Sequence, residues 1–204
     1  MLSVNAIEIQ KIIDESEKGR NTSFLKASHS LWLRFKNYDK NPPKVLYKSH
    51  KAVAVIFATS SDRTLYVNLY EIVTIQGYER RGYASELWSE FVADSHKKGM
   101  KRLKLSCTPQ SIGFHTKNGL VYWGVDKQGS LKSDQPLMPN ISEQITLRHN
   151  GIKNYKLLIP SEKVAESLKK HDIEYMDLSY KKSIETMTAI KFVGKYWLRN
   201  KLFA

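Results

Sequence analysis

Two arginines, two glycines and two carboxylates stand between Tyr70 and Ala84, in the order Tyr-Glu-Ile-Val-Thr-Ile-Gln-Gly-Tyr-Glu-Arg-Arg-Gly-Tyr-Ala. An apolar segment ends here, a short polar turn carries Arg80, Arg81 and Gly82, and an amphipathic segment begins at once. The first N–H groups of a helix have no intrahelical partner, and the helix dipole puts partial positive charge at the same end. A strand running into such a turn builds an anion cradle, with phosphate as its natural occupant. Upstream, Glu71 interrupts a run of apolar odd positions, Leu65, Val67, Leu69, Val73 and Ile75, expected on one strand face. A carboxylate among apolar neighbours has a raised pKa and suits removal of a proton near neutrality. Two plainer outcomes stay open for it: an ion pair with a basic neighbour, or a strand bulge that turns it out to solvent.

The elements that must hold these groups follow from periodicity. Ile9, Ile12 and Ile13 predict a helix over Ile7–Lys18, with Gly19 as its C-terminal stop. Phe24, Leu25, Leu31, Trp32 and Phe35 predict a second helix over Ser23–Phe35, ended before Pro42 and Pro43. Strands are expected over Lys44–Lys48, Ala52–Ala58 and Thr64–Ile75, with turns at Ser49–Lys51 and Ser60–Asp62. After the arginine turn, Ala84, Leu87, Trp88, Phe91 and Val92 form one helical stripe, closed by Gly99. Leu103, Leu105 and Cys107 then alternate as a strand, so strand, helix and strand make a βαβ unit. A short helix over Pro109–Asn118 with Gly119 as its cap, a strand over Leu120–Val125 and a turn over Asp126–Gly129 come next. Ser130–Asn140, with Pro136 and Pro139, is the expected linker. Beyond it, Tyr155–Ile159, Glu162–Lys170 and Ile173–Leu178 repeat a strand–helix–strand pattern, and Ser183–Leu202 is a basic helix.

Composition narrows the class. Hydrophobic residues make up 41% of the chain and aromatics 11%, which supports a real core and argues against disorder. The single Cys107 excludes an internal disulfide and points to a reducing compartment. The histidines are scattered without ligand spacing, so no metal site is expected. With no secretory pattern at the amino terminus and no apolar run near the ~20 residues that span a bilayer, the expected location is cytoplasmic, off the membrane. The net charge of +13 attracts polyanions and makes nucleic acid a candidate partner, although the same charge serves an anionic cofactor or simple solubility.

The order of elements and the turn itself resemble the GNAT superfamily of acyl-CoA-dependent N-acyltransferases. The family loop, Gln/Arg-x-x-Gly-x-Gly/Ala, falls on Glu79 to Ala84: Gly82 and Ala84 fit, while Glu79 stands where Gln or Arg is usual. The resemblance implies an α/β (α+β) fold, a GNAT-like mixed and centrally twisted sheet flanked by helices. It implies acetyl-CoA as acyl donor, its pyrophosphate held by the loop of Glu79, Arg80, Arg81, Gly82, Tyr83 and Ala84, and its pantetheine arm paired with the backbone of Thr74 and Ile75. An acid at the position of Glu71 acts as base in many members. A second stretch, Thr108 to Leu120, is similar to the family's Asn-x-x-Ala-x-x-Phe-Tyr-x-x-x-Gly-Phe, with Phe114, Gly119 and Leu120 in place. His115 replaces the tyrosine that protonates the leaving thiolate, and an imidazole titrating at about 6.5 suits that task. A helix-surface histidine without a role is the alternative.

The resemblance covers residues 1–126 as an acyl-CoA-binding domain and leaves 127–204 as a C-terminal α/β extension. Four arrangements stay open for that extension: a separate domain, packing on the first domain, a cover over the acceptor site, or a homodimer contact. The implied function is acetyl-CoA-dependent acyl transfer to an amine. The altered tyrosine, the +13 charge and the basic tail keep two others open: a nucleic-acid base-modifying enzyme similar to the phage Mom group, and a non-catalytic CoA-binding module. The acceptor is not specified by any motif.

Overall fold

The computed structural model describes residues 1–63, 65–108, 110–118, 122–125 and 131–137. They fall into two compact units, Met1–Met100 and a second that begins at Lys101. The first unit contains β1 (Leu2–Ser3), α1 (Ala6–Glu15), α2 (Arg20–Arg34), β2 (Lys44–Lys48), β3 (Lys51–Ser61), β4 (Tyr66–Thr74) and α3 (Tyr83–Lys97). Its strands lie side by side in chain order, each antiparallel to the next.

Asn5 caps α1 by accepting the amide of Glu8 at 2.9 Å, and the spacing of Ile9, Ile12 and Ile13 buries one stripe of the helix. The helix closes at Ser16, three residues before Gly19. Gly19 instead opens α2 as its N-cap, with extended backbone and no side chain to compete for space. A Cβ there would overlap the Gln76 carboxamide, so any larger residue displaces Gln76. Helix α2 buries Leu25, Ser28, His29 and Trp32 against the sheet. Trp32 is fully buried, meets Phe57 and Tyr70 edge-on at 5.2 Å each, and donates its indole N–H to the Asn41 carbonyl at 2.8 Å. Between β2 and β3, Ser49 and His50 both take left-handed backbone, with φ of 47° and 65°, the geometry that a two-residue hairpin loop requires.

Strand β4 departs from the simple alternation. Ala54–Phe57 pair with Thr74–Glu71, and then Ala58 pairs with Leu69, so Tyr70 is an extra residue on β4. One inserted residue exchanges the faces of everything beyond it. Val73 and Ile75 therefore join the core beneath α1 and α2 with Val55, Phe57 and Trp32. Val67 lies on the opposite face with Ile56, Ala58 and Phe91 of α3, beside a cavity of about 240 Å³. The single apolar face expected from Leu65 to Ile75 is thus two faces of one strand. The stripe on α3 is as expected, with Leu87, Trp88 and Phe91 buried, and Gly99 ends the helix at φ 72°.

The second unit comprises β5 (Arg102–Cys107), α4 (Ile112–Lys117), β6 (Tyr122–Val125) and β7 (Leu131–Pro136). Strand β7 lies between β5 and β6 and is antiparallel to both. The stretch expected as a linker is therefore a paired strand over Leu131–Pro136. Pro136 occupies the terminal pair, opposite Arg102, where the ladder ends and a missing N–H is tolerated. The buried Leu103, Leu105 and Cys107 follow the expected alternation. The cap at Gly119, the turn at 126–129, the strand–helix–strand pattern of 155–178 and the helix of 183–202 lie outside the described residues. Among the described residues no helix is long and apolar enough to cross a membrane.

Trp32 joins α2 to both β3 and β4, so its loss should be felt through the first unit. Replacing Trp32 with alanine is expected to remove about 3–5 kcal/mol of unfolding free energy in urea titrations.

Candidate active site

The turn between β4 and α3 is built from left-handed backbone. Gly77 and Gly82 have φ of 89° and 83°, and Arg80, without glycine's freedom, has φ of 61°. Gly82 is the N-cap of α3, where a side-chain oxygen usually accepts one of the open amides; here there is no side-chain cap. The first intrahelical bond runs from Glu86 N to Gly82 O at 3.0 Å, which leaves the amides of Tyr83, Ala84 and Ser85 ahead of it facing the turn. Nothing lies within 4 Å of where a Cβ on Gly82 would stand. Arg80 and Arg81 are both exposed; Arg81 donates to the Gly77 carbonyl at 3.3 Å and lies over the Tyr78 ring at 5.5 Å. An open helix terminus in a turn that carries two exposed arginines has the shape and charge that suit an anion.

Glu79 is turned the other way. Its Oε2 accepts the Gly77 amide at 2.8 Å and its Oε1 accepts Asn21 Nδ2 at 2.9 Å, so both oxygens are engaged within the fold. Asn21 Nδ2 also donates to the Thr74 carbonyl at 2.9 Å. The amide of Ile75 donates to Val53 O, and the Ile75 carbonyl accepts from Tyr78 N, each at 3.0 Å. A carbonyl oxygen has two lone pairs, and these bonds use one on Thr74 and one on Ile75.

Four residues before Ile75, about 13 Å of strand, stands Glu71. The Tyr70 bulge leaves Tyr70 exposed at 56% and keeps Glu71 half-buried opposite Phe57. Burial pushes its carboxyl up to about 7. Of the two plainer outcomes, the bulge exists but exposes Tyr70 and not Glu71, and no ion pair among the described residues involves Glu71. A carboxyl that is half ionised at neutral pH can take a proton and return it.

His115 lies on α4 in the second unit and is buried, with only 4% of its surface exposed; it is not a surface histidine. Burial pulls its imidazole down to about 4, so at neutral pH the ring is uncharged and can donate a hydrogen bond but supplies no proton. Asn21 and Gln76 escaped the sequence reading, because nothing local ties Asn21 to partners more than 50 positions away. The cavity beside α3 is bordered by Lys40, Lys44 and Lys98 and contains none of the predicted site residues.

Between the ordinary carboxylate value and about 7, the folded chain holds a proton on Glu71 that the unfolded chain has released. Stability must then fall as pH rises through that window. Glu71→Gln removes this slope, and urea midpoints should put the variant ahead of wild type at about pH 8 by on the order of 2 kcal/mol.

Sequence comparison with curated proteins found no match. A model of the acetyltransferase (GNAT) family matches residues 9–120, more than half of the chain. Among solved structures, the chain is similar to an aminoglycoside 6'-acetyltransferase type Ii, with TM-score 0.55 and 10% identity, covering 68% of this chain and 97% of that one. It is similar to the PaiA N-acetyltransferase from Thermoplasma acidophilum in complex with coenzyme A, with TM-score 0.53 and 12% identity over 66% of this chain and 96% of that one. Tetrahymena GCN5 gives TM-score 0.52 and 14% identity over 67% and 88%. At such identities the structures speak for the fold, and the family match over 9–120 speaks for descent: the chain belongs to the acetyltransferase (GNAT) family.

Proposed function

We propose that the chain is an acetyl-CoA-dependent N-acyltransferase acting on an amine. One observation carries this reading: a half-buried carboxyl titrating at about 7 stands on the strand that runs into an uncapped helix N-terminus. The residues fit the family's donor. The amides of Tyr83, Ala84 and Ser85, with Arg80 and Arg81, would hold a pyrophosphate, and Gly82 is the residue that keeps the space over them clear. Thr74 and Ile75 would offer their remaining carbonyl lone pairs to an amide-bearing arm. Acetyl-CoA, when bound, supplies an acyl carbon activated as a thioester.

An ammonium has no lone pair for that carbon, so the acceptor must first lose a proton. Glu71 is the group suited to take it, and must be ionised to do so. The rate should therefore climb with pH and level off above about 7. His115, uncharged at neutral pH, is no source for the proton that the departing sulfur needs, and no falling limb from it is expected above pH 6.5.

Calorimetry with acetyl-CoA tests the donor half, and its failure to bind would remove the proposal. Thiol release over a panel of polyamines, aminoglycosides and lysine peptides tests the acceptor half. Glu71→Gln should lower kcat by about 10²–10⁴ while leaving the KM for acetyl-CoA within a few-fold of wild type. Gly82→Val should act in the opposite sense, raising that KM first, because a β-branched residue resists φ of 83°.

The net charge of +13 favours one second reading, transfer to a nucleic-acid base. It requires salt-dependent binding to DNA or RNA and a mass change on a nucleoside from co-expressing cells. Unmodified nucleosides would exclude it.

A further inference from the structure

We propose that Asn21 is a positioning residue for the donor, and that with Glu79 it forms a latch presetting the β4–α3 turn; the inference rests on that turn being the acetyl-CoA cradle. Asn21 sits in the first turn of α2, and its Nδ2 donates at 2.9 Å both to Thr74 O, the end of β4, and to Glu79 Oε1, inside the turn. Both partners are acceptors, which fixes the orientation of the amide. Its backbone N–H faces Gln76 Oε1 at 3.4 Å, so the unpaired start of α2 is capped by the same turn.

The latch explains the departure at Glu79. Two donors converge on that side chain, Gly77 N on one oxygen and Asn21 Nδ2 on the other. Only a carboxylate presents two acceptors to two donors. Glutamine would set its NH₂ against one of them, and arginine has no acceptor at all. Directly after the latched residue comes Arg80, held at φ of 61°, a backbone state that an unsupported non-glycine residue leaves readily. From Arg80 the chain passes into Gly82 and the open amides of α3. Asn21 thus touches no donor atom and acts through the shape of the turn. Because α2 also carries Trp32, which meets Tyr70 beside Glu71, one helix braces both ends of the reaction site.

The experiment compares Asn21→Ala, Asn21→Asp, Glu79→Gln and the double variant Asn21→Asp/Glu79→Gln, each checked for folding by circular dichroism. Three readouts are taken: hydrogen exchange at the Gly77 amide without donor, the calorimetric Kd for coenzyme A, and the pH profile of the rate. Asn21→Ala should speed Gly77 exchange and weaken CoA binding, each by about tenfold, with the rate midpoint near pH 7 unmoved. Asn21→Asp should be worse, since two carboxylates then face each other. Adding Glu79→Gln to it should recover part of the loss, because the introduced glutamine can donate to the new aspartate while still accepting from Gly77. A wild-type Kd and wild-type exchange in Asn21→Ala overturn the proposal, as does a double variant no better than Asn21→Asp. If wild type itself fails to bind CoA, the cradle falls and the positioning role with it, while faster Gly77 exchange in Asn21→Ala would still identify a purely structural tie.

Discussion

Seating α2 on the sheet through Trp32 is the interaction on which the site depends. The indole is fully buried, edge-on to Phe57 of β3 and Tyr70 of β4, and its N–H is satisfied by Asn41. A side chain of this size contributes more by excluded area and packing than any polar contact in the turn. Along the same helix, eleven positions earlier, Asn21 reaches the end of β4. The bulge at one end of the strand segment and the turn at the other are therefore referenced to a single rigid rod. The distance between Glu71 and the start of α3 is set by packing in the core, where it is least open to solvent fluctuations.

Burial acts on two titratable groups with opposite results. It raises Glu71 and lowers His115, because desolvation always favours the neutral form, and the neutral form is the protonated carboxyl but the deprotonated imidazole. Glu71 is thereby moved toward neutral pH, where a base is useful. His115 is moved away from it. His115, where the resemblance implies a tyrosine, thus does not act as an acid by the simple route of an imidazole's ordinary pKa.

Much of the candidate site's backbone geometry was legible along the chain because its parts are local. The left-handed Gly82, the open start of α3 and the stripe of Leu87, Trp88 and Phe91 are all consequences of near neighbours in sequence. Gly19 misled because the same residue that ends one helix can begin the next, and only Gln76, packed against it from a remote segment, decides which. Ser130–Asn140 misled because Pro136 and Pro139 suggested a break, whereas the terminal pair of a ladder accepts Pro136. The Asn21–Glu79 bond spans 58 positions and has no local signature whatever. Alternation in β4 failed for a related reason: a bulge adds a residue without changing which residue types are present.

That bulge also governs how the strand can change over time. Side chains on a strand follow a period of two, so face assignment depends on counting residues, whereas packing depends on their kind. Substitutions among Val67, Leu69, Val73 and Ile75 keep every side chain facing its own core. Loss of Tyr70 would remove the bulge and leave Leu69 opposite Ala58 and Glu71 opposite Phe57, whereas loss of one residue between Glu71 and Ile75 would carry the carboxylate to the α3 side, away from α2 and its tryptophan. The strand is permissive toward point changes and toward loss of its extra residue but unforgiving of length changes within its paired segments, so descendants of this chain are free to retune the acidity around Glu71 while the reading frame of its pleat stays frozen.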